Sequence, residues 1–418
     1  MTKADKIRES IRKTKEKRLL QRPYTIELKI DYSKLNGEQK TKLKMYFVEA
    51  KWLYNYILSQ EDPFKVDYKI KEVQVKNKDG IFETRQLKYL PAKLRQDIHF
   101  GLRQNIKNLS KAKKKGKRVG RLKFLSQISS INLTQYLATH KIVNNKIRLL
   151  GIKKHLSVFG LHQIKDTYEI ANARLIQKPS GYYIHLTCFE YIKPNILQNN
   201  KEDVGLDFGI KNNITTSNGE IFNVSIEETE RLKRLNKKLN RQIKGSNNRY
   251  KIRIQIQKEY EKIRNKKNDA VNKVVYYILN KYNKIYMQDE LIHNWHKGLF
   301  GKQIQHSTLG LIKSKLRQSK SVTVLPSHYP TTKLCYNCGK LNRLTLSDRI
   351  YKCVCGLSED RDLKAAKTIL HYGKSSSSYI PTERRDFKQV EKQTSISINS
   401  KFVETSYISE KLEAVERR

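Results

Sequence analysis

Val204-Gly205-Leu206-Asp207-Phe208-Gly209-Ile210 decides how the second half of the chain is read. Six of these residues are apolar or glycine, and one is an acid. A short apolar run of this kind reads as a buried strand. A lone carboxylate inside it is costly unless it meets a cation or hydrogen-bond donors. Asp207 is therefore a candidate for chemistry rather than for packing. The polar stretch around Thr215 to Gly219 suggests a hairpin partner for this strand. Charged helices follow at 225–243 and 249–283, broken at Lys244-Gly245-Ser246-Asn247-Asn248. A second apolar strand, KIYMQDEL, covers 284–291. A helix at 303–318 and a strand at 322–326 come next, and the last helix runs from about Asp362 to Leu370.

Acids mark the ends of these elements. Asp207 lies in the first strand, Asp289 and Glu290 end the second, and Asp362 opens the final helix. Acids from two strand ends and a helix start can converge on a pair of Mg²⁺ ions. Such ions activate a water and stabilise the leaving oxygen in phosphodiester cleavage. Taken singly, Asp360 and Asp362 could instead cap and charge a helix N-terminus, and Glu290 could be a solvated strand end.

Cys335-x-x-Cys338 and Cys353-x-Cys355 lie between the strand at 322–326 and the last helix, with Gly339 and Gly356 beside the pairs. Pairs of this spacing sit on tight knuckles and complete a tetrahedral thiolate site for Zn²⁺. Closed four-cysteine coordination leaves no open position, so the ion would be structural. The second pair is one residue shorter than the usual spacing. The fifth cysteine, Cys188, falls in a strand pattern and reads as core. This usage suits a reducing compartment better than a disulfide framework.

The 418 residues include 86 Lys and Arg against 40 Asp and Glu, a formal charge of +46. Basic residues run through the whole chain, which favours nucleic acid over other anionic partners. Lys113, Lys114, Lys115, Lys117, Arg118 and Arg121 form one cluster, a loop punctuated by Gly116 and Gly120. Lys237, Lys238, Arg241, Lys244, Arg249 and Arg253 form another on the charged helices. Both are candidate phosphate-binding clusters. No apolar run approaches the ~20 residues of a membrane span. Residues 1–22 read as a solvated basic leader without a signal-peptide core.

The first half alternates in another way. Residues 23–33 read as a strand. Helices are expected at about 37–60, with Leu43, Tyr46, Phe47, Trp52, Tyr54, Tyr56 and Ile57 on its apolar face, and at 91–109. A polar loop separates them near Lys76 to Gly80. Short strands follow from Ile131 to Glu190, the last two joined through Pro179-Ser180-Gly181. A small β-barrel interrupted by a helical domain suits this order. After Gly373 the composition turns to Ser, Thr and mixed charge, which predicts a disordered tail over 374–418.

The ordered set of motifs resembles the TnpB family of transposon-encoded RNA-guided nucleases and the related miniature type V CRISPR effectors. KWLYNYIL (51–58), KKKGKRVGRLKF (113–124), VGLDFGIKN (204–212), PTTKLCYNCGK (330–340), CVCG and DRDLKAAKTIL (360–370) carry the likeness. The resemblance implies an α+β multidomain fold. A wedge-like β-barrel (23–36 and 125–195) would be interrupted by a helical recognition lobe (37–124). A RuvC, ribonuclease H-like nuclease domain (200–330 and 359–373) would carry an inserted zinc ribbon (331–358). It implies a guide RNA, a double-stranded DNA target and a short flanking motif read as duplex. Asp207 matches the first catalytic acid and Asp362 the third, with Glu290 chosen as the second. This sequence reads Gln288-Asp289-Glu290-Leu291 where many relatives have Glu-Asp-Leu, so Asp289 stands in reserve. Lys364 replaces a common Asn. The expected activity is Mg²⁺-dependent DNA cleavage in the prokaryotic cytoplasm, at the nucleoid, with a monomer favoured. The alternatives are a nuclease-dead RNA-guided repressor and a transposase accessory protein that binds DNA without a guide.

Overall fold

The computed structural model describes residues 2–77, 79–192, 201–298, 300–345 and 348–375. The expected disordered tail lies, beyond residue 375, outside the described residues. The chain divides at position 194 into two compact units.

The first unit runs α1 (Lys3–Leu19), β1 (Gln21–Ile30), α2 (Gly37–Ser59), β2 (Glu72–Lys76), β3 (Phe82–Gln86) and α3 (Ala92–Lys114). Six strands complete it: β4 (Ser130–Leu133), β5 (His140–Val143), β6 (Lys146–Leu149), β7 (Val158–Phe159), β8 (Glu169–Lys178) and β9 (Gly181–Tyr191). Alternation along β1 sends Ile26, Leu28 and Ile30 inward and leaves Thr25, Glu27 and Lys29 exposed. Asn36 opens α2 through a capping box with Gln39, which ties up two otherwise unpaired N–H groups. Leu43, Tyr46, Phe47, Ala50, Leu53 and Ile57 then recur at helical spacing and pack on the sheet with Leu94 and Leu102 of α3. Trp52, Tyr54 and Tyr56, expected on the apolar face of α2, are only half-buried at its flank.

One expectation changes here. The barrel is not closed. Among the described residues, β4-β8-β9-β1-β7 is an open antiparallel sheet, and β2–β3 and β5–β6 are separate hairpins. The end strand β7 has two residues, too short to bridge round to β4, and α2 and α3 cover the apolar face instead. The expected basic leader is a helix over most of its length. Thr2 and Asp5 form a capping box, and Arg12 pairs with Glu9 and Glu16 one turn either side. Lys17 and Arg18 hold its last turn to Glu169 on β8. The expected polar loop near Lys76 to Gly80 falls in the sequence between β2 and β3, which pair antiparallel from Lys76 opposite Phe82.

The second unit opens with β10 (Val204–Phe208), β11 (Ile214–Thr216) and β12 (Ile221–Phe222). Then come α4 (Glu230–Asn240), α5 (Asn247–Lys281), β13 (Ile285–Gln288), α6 (Ile292–Trp295), α7 (Gly301–His306), α8 (Leu309–Leu316) and β14 (Val322–Leu325). The hairpin β15 (Ile350–Lys352)–β16 (Ser358–Asp360) leads into α9 (Arg361–Lys374). The helix expected at 303–318 is two helices, α7 and α8. Strand order is β12-β11-β10-β13-β14, with β10, β13 and β14 parallel and β11 and β12 antiparallel.

Parity along β10 and β13 sets the layers. Val204, Leu206, Phe208, Ile285 and Met287 pack with Val271, Val275 and Ile278 of α5 and Leu309, Ile312 and Leu316 of α8. The opposite face meets α9. A Cβ on Gly205 would collide with the Ala366 carbonyl oxygen and stand 2.7 Å from the Leu370 nitrogen. One on Gly373 would enter the Tyr286 ring. Only glycine at these two points lets α9 lie so close to the sheet. No helix among the described residues is long and apolar enough to cross a membrane.

Candidate active site

Asp207 shares the parity of Gly205, so its carboxyl lies on the α9 side of the sheet near the carboxyl end of β10. Ligands of open sheets with parallel strands gather at such strand ends. The neighbouring parallel strand β13 ends at Gln288, and the ladder continues through the Asp289 N–H to the Leu325 carbonyl at 2.8 Å. Parity then separates the next two acids. Asp289 falls on the α8 side, where it pairs with Arg317 at 2.8 Å and Lys313 at 3.6 Å. Its pKa is lowered chiefly by the Arg317 guanidinium. Glu290 falls on the side of Asp207.

The two remaining candidate acids are both electrostatic neighbours of Asp207. Its carboxyl is pushed well up, first by burial and then by the charges of Glu290 and Asp362, against the pull of Arg361 and Lys364. Burial raises Glu290 to about 7, with Lys313 opposing. One oxygen of Glu290, Oε2, is buried without a hydrogen-bond partner. A buried orphan acceptor beside two further carboxylates is a donor set that a hard divalent cation fits. At the start of α9 the two acids divide the work. Asp360 Oδ1 accepts from the Asp362 and Leu363 N–H groups at 2.9 and 3.1 Å, which caps the helix. Asp362 is left for the cluster, with Arg361 Nε at 3.5 Å.

Sequence reading passed over Lys313. Its side chain is 8% exposed and donates to the Glu290 carbonyl at 2.6 Å. It fixes the strand end from the α8 side. The signal available was the Lys313–Arg317 spacing on one helix face, which looks the same on any solvated helix.

The four cysteines form a tight cluster. Among the described residues they are the group of His, Cys, Asp and Glu whose ligand atoms all lie within 4.8 Å of one another; the three carboxylates are not gathered so closely. Cys335 and Cys355 Sγ are 3.7 Å apart, and Cys338 and Cys353 Sγ 3.5 Å. Four thiolates at the usual Zn–S length of ~2.3 Å stand about 3.8 Å apart, so the cluster is close to that geometry. The two knuckles share one plan. In the first, Cys335 N–H donates to the Lys340 carbonyl and Gly339 N–H to the Cys335 carbonyl. In the second, Cys353 N–H donates to the Leu357 carbonyl and Gly356 N–H to the Cys353 carbonyl. The second is one residue tighter, which accounts for its shorter cysteine spacing. Gly339 and Gly356 have φ of +71° and +89°, where a side chain is strained. The N–H of Cys355 lowers Cys353 and the N–H of Leu357 lowers Cys355, whereas Cys338 is pushed up, against the Lys340 N–H, by burial and by hydrogen bonds with the other three thiols. Cys188 is buried core.

Of the basic candidates, Lys113, Lys114, Lys115, Lys117, Arg118 and Arg121 are exposed. Lys113 and Lys114 belong to the last turn of α3 and the others to the loop beyond it. Asn55 of α2 clamps the far end of this loop, bonding both the N–H and the carbonyl of Leu125 at 2.8 and 2.9 Å. Lys237, Lys238, Arg241, Lys244 and Arg253 are also exposed. Arg249 differs. Its guanidinium turns back to the Leu239 and Gln242 carbonyls at 2.6 and 3.1 Å, where it caps the end of α4.

A mixed sheet with acids at its parallel strand ends and a four-thiol knuckle before the last helix matches two family descriptions. "Probable transposase" covers residues 187–292, which include Asp207 and Glu290. "Cas12f1-like, TNB domain" covers 309–369, which include the cysteines and Asp362. The chain is similar to a "Putative RNA-guided DNA endonuclease" of Streptomyces pristinaespiralis, 28% identical over 56% of this chain and 60% of that protein. It is also similar to "Putative RNA-guided DNA endonuclease InsQ" of Escherichia coli (strain K12), 29% identical over 41% of this chain and 48% of that one. A "TnpB-like protein" of Acanthamoeba polyphaga mimivirus is 26% identical over 41% of this chain and 38% of its own length. Over these segments the chain is similar to proteins named RNA-guided DNA endonuclease and TnpB-like. It spans between about two fifths and three fifths of the length of these relatives.

Proposed function

We propose that this protein is an RNA-guided DNA endonuclease whose second unit is a RuvC-like nuclease domain with an inserted zinc ribbon. The observations that support the reading are that the charges of Glu290 and Asp362 both reach the buried Asp207 carboxyl and that Glu290 Oε2 is buried and unpartnered. Asp207, Glu290 and Asp362 would hold Mg²⁺. Bound there, the metal supplies an activated water and charge stabilisation at a phosphodiester. The chain's own residues prepare the site. Lys313 fixes the Glu290 backbone, Arg317 draws Asp289 away, and Asp360 rather than Asp362 caps α9. The Cys335, Cys338, Cys353 and Cys355 cluster would hold structural Zn²⁺. The exposed basic residues would follow guide RNA and target DNA backbones, while base pairing reads sequence.

Cleavage is favoured over a nuclease-dead repressor because all three acid positions are filled. It is favoured over a guide-free accessory protein by the names of the similar proteins. The test is purification with sequencing of bound RNA, followed by Mg²⁺-dependent cutting of a target with randomised flanks. One defined RNA and guided cutting are expected, lost in Asp207→Ala and Asp362→Ala with nucleic-acid binding kept. Heterogeneous host RNA and no guided cutting would refute the reading.

A further inference from the structure

Two side chains next to the candidate acids reach into one short strap, Pro326 to Thr332, which runs from β14 to the first cysteine knuckle. Gln288 stands two residues before Glu290 and is buried. Its Nε2 faces the carbonyls of Pro326, Ser327 and Tyr329 at 3.2, 3.1 and 2.6 Å. Its Oε1 accepts from Thr331 Oγ1 at 2.8 Å. Lys364 stands two residues after Asp362 and is wholly buried. Its Nζ donates to the carbonyls of Thr331 and Thr332 at 3.1 and 2.8 Å and lies 3.9 Å from the centre of the Tyr351 ring.

Thr331 is the residue on which both grips meet. Its hydroxyl is held by Gln288 at the end of β13, two residues before Glu290, and its carbonyl by Lys364 in the first turn of α9, two residues after Asp362. It is 3% exposed, so no water can replace either bond cheaply. Gln288, the last residue of β13, is joined to Glu290 through Asp289 alone, whose N–H bonds the Leu325 carbonyl. Just beyond the strap, Lys333 and Leu334 N–H groups both bond the Pro330 carbonyl at 2.9 Å, and Cys335 follows at once. The strap thus ties the knuckle to both acids.

Resting on the reading of these acids as metal ligands, we propose that Thr331 is a positioning residue. It sets the spacing of Glu290 and Asp362, and through it the affinity for divalent metal. Partners that orient metal ligands typically matter by 10–100-fold.

The test uses the full chain with zinc bound. Mn²⁺ binding is followed by electron paramagnetic resonance, zinc by elemental analysis, and cutting as a function of Mg²⁺. Thr331→Val keeps the shape and removes the hydroxyl. It should weaken Mn²⁺ binding roughly tenfold with zinc retained, and higher Mg²⁺ should restore cutting. Thr331→Ser should behave as the parent. If the valine variant does not fold, Gln288→Met removes the same grip from the other side and should show the same loss. Parental Mn²⁺ affinity in a folded variant would overturn the proposal. Loss of zinc together with Mn²⁺ would overturn it too, because a collapsed knuckle would then be the cause. Asp207→Ala separates the two ideas. If it keeps Mn²⁺ and cutting, the acid assignment itself fails. If it loses both while Thr331→Val loses neither, only the strap fails.

Discussion

Glu290→Gln and Asp289→Asn are adjacent, isosteric and charge-removing, yet they should move stability in opposite directions. The Glu290 carboxyl is raised from an ordinary 4.5 to about 7 by burial. A group raised in the fold contributes stability that is complete below its unfolded value and is lost as pH rises through its folded value. Without added Mg²⁺, the folded protein therefore carries a cost at pH 8 that is absent at pH 4. At ~1.36 kcal/mol per tenfold change, that cost has a ceiling of about 3 kcal/mol. Glutamine cannot ionise, so Glu290→Gln should recover most of it at pH 8 and little at pH 4. For a unit of this size the gain corresponds to a melting rise of about 5–10 °C. Asp289 has the reverse sign. Arg317 lowers its carboxyl, so its contribution is present above the ordinary value and lost in acid. The pair is partly exposed, with Asp289 42% and Arg317 51% accessible, so solvent screening limits Asp289→Asn to a loss of about 0–1 kcal/mol. Thermal melts at pH 4 and pH 8 measure both. Cutting should vanish in Glu290→Gln and survive in Asp289→Asn. A Glu290→Gln variant that melts below the parent at pH 8, or gains as much at pH 4, would refute the reasoning. So would a cutting-competent one.

Gly205→Ala should shift α9 from β10, because the added methyl would meet the Ala366 carbonyl. Overpacking of this kind costs about 1–3 kcal/mol, and guided cutting should fall more than nucleic-acid binding does. Cys335→Ser or Cys353→Ser should release one zinc per chain by elemental analysis and lower the melting temperature; an unchanged zinc content would remove the zinc reading. Replacing Lys237, Lys238 and Arg241 by Gln should weaken nucleic-acid binding and flatten its dependence on salt, by about one in the log–log slope for each phosphate no longer neutralised. Arg249→Gln should instead act mainly on stability, because its guanidinium caps α4.

The parts legible in the sequence were those set by local pattern. Asp207 in an apolar strand, the cysteine pairs with their glycines, and the hairpin through Pro179-Ser180-Gly181 each depend on a few neighbouring residues. The choice between Asp289 and Glu290 needed the register of β13 and a view of which helix lay on each side. Alternation alone says that the two diverge, not which way. Barrel closure was out of reach for a similar reason, since it depends on whether two distant edge strands meet, and a β7 of two residues does not provide that edge. The β2–β3 hairpin was hidden by charge, because its exposed positions other than Phe82 are polar and only Val73 is fully buried. The buried roles of Lys313, Gln288, Thr331 and Lys364 were not legible in the sequence. A buried polar residue and a solvated one are spelled alike until the packing is known.

These inward-turned polar side chains explain how an unfavourable cluster of acids persists in the fold. Burial raises Asp207 and Glu290, and the charges of Glu290 and Asp362 raise Asp207 further. Relaxation would require the ends of β10, β13 and α9 to part. Gly205 and Gly373 bring α9 close against the sheet, Lys313 ties the carbonyl of Glu290 to α8, and Gln288 and Lys364 grip the strap from both sides. Each hold acts on backbone or on a neighbour, and none neutralises all three acids. A cluster held together and only partly compensated, here by Lys313, Arg361 and Lys364, takes up a divalent cation more readily than one paired internally, because binding relieves repulsion that the fold already bears. Asp289, fully paired with Arg317 and Lys313, illustrates the alternative: an acid so compensated has little left to offer a metal.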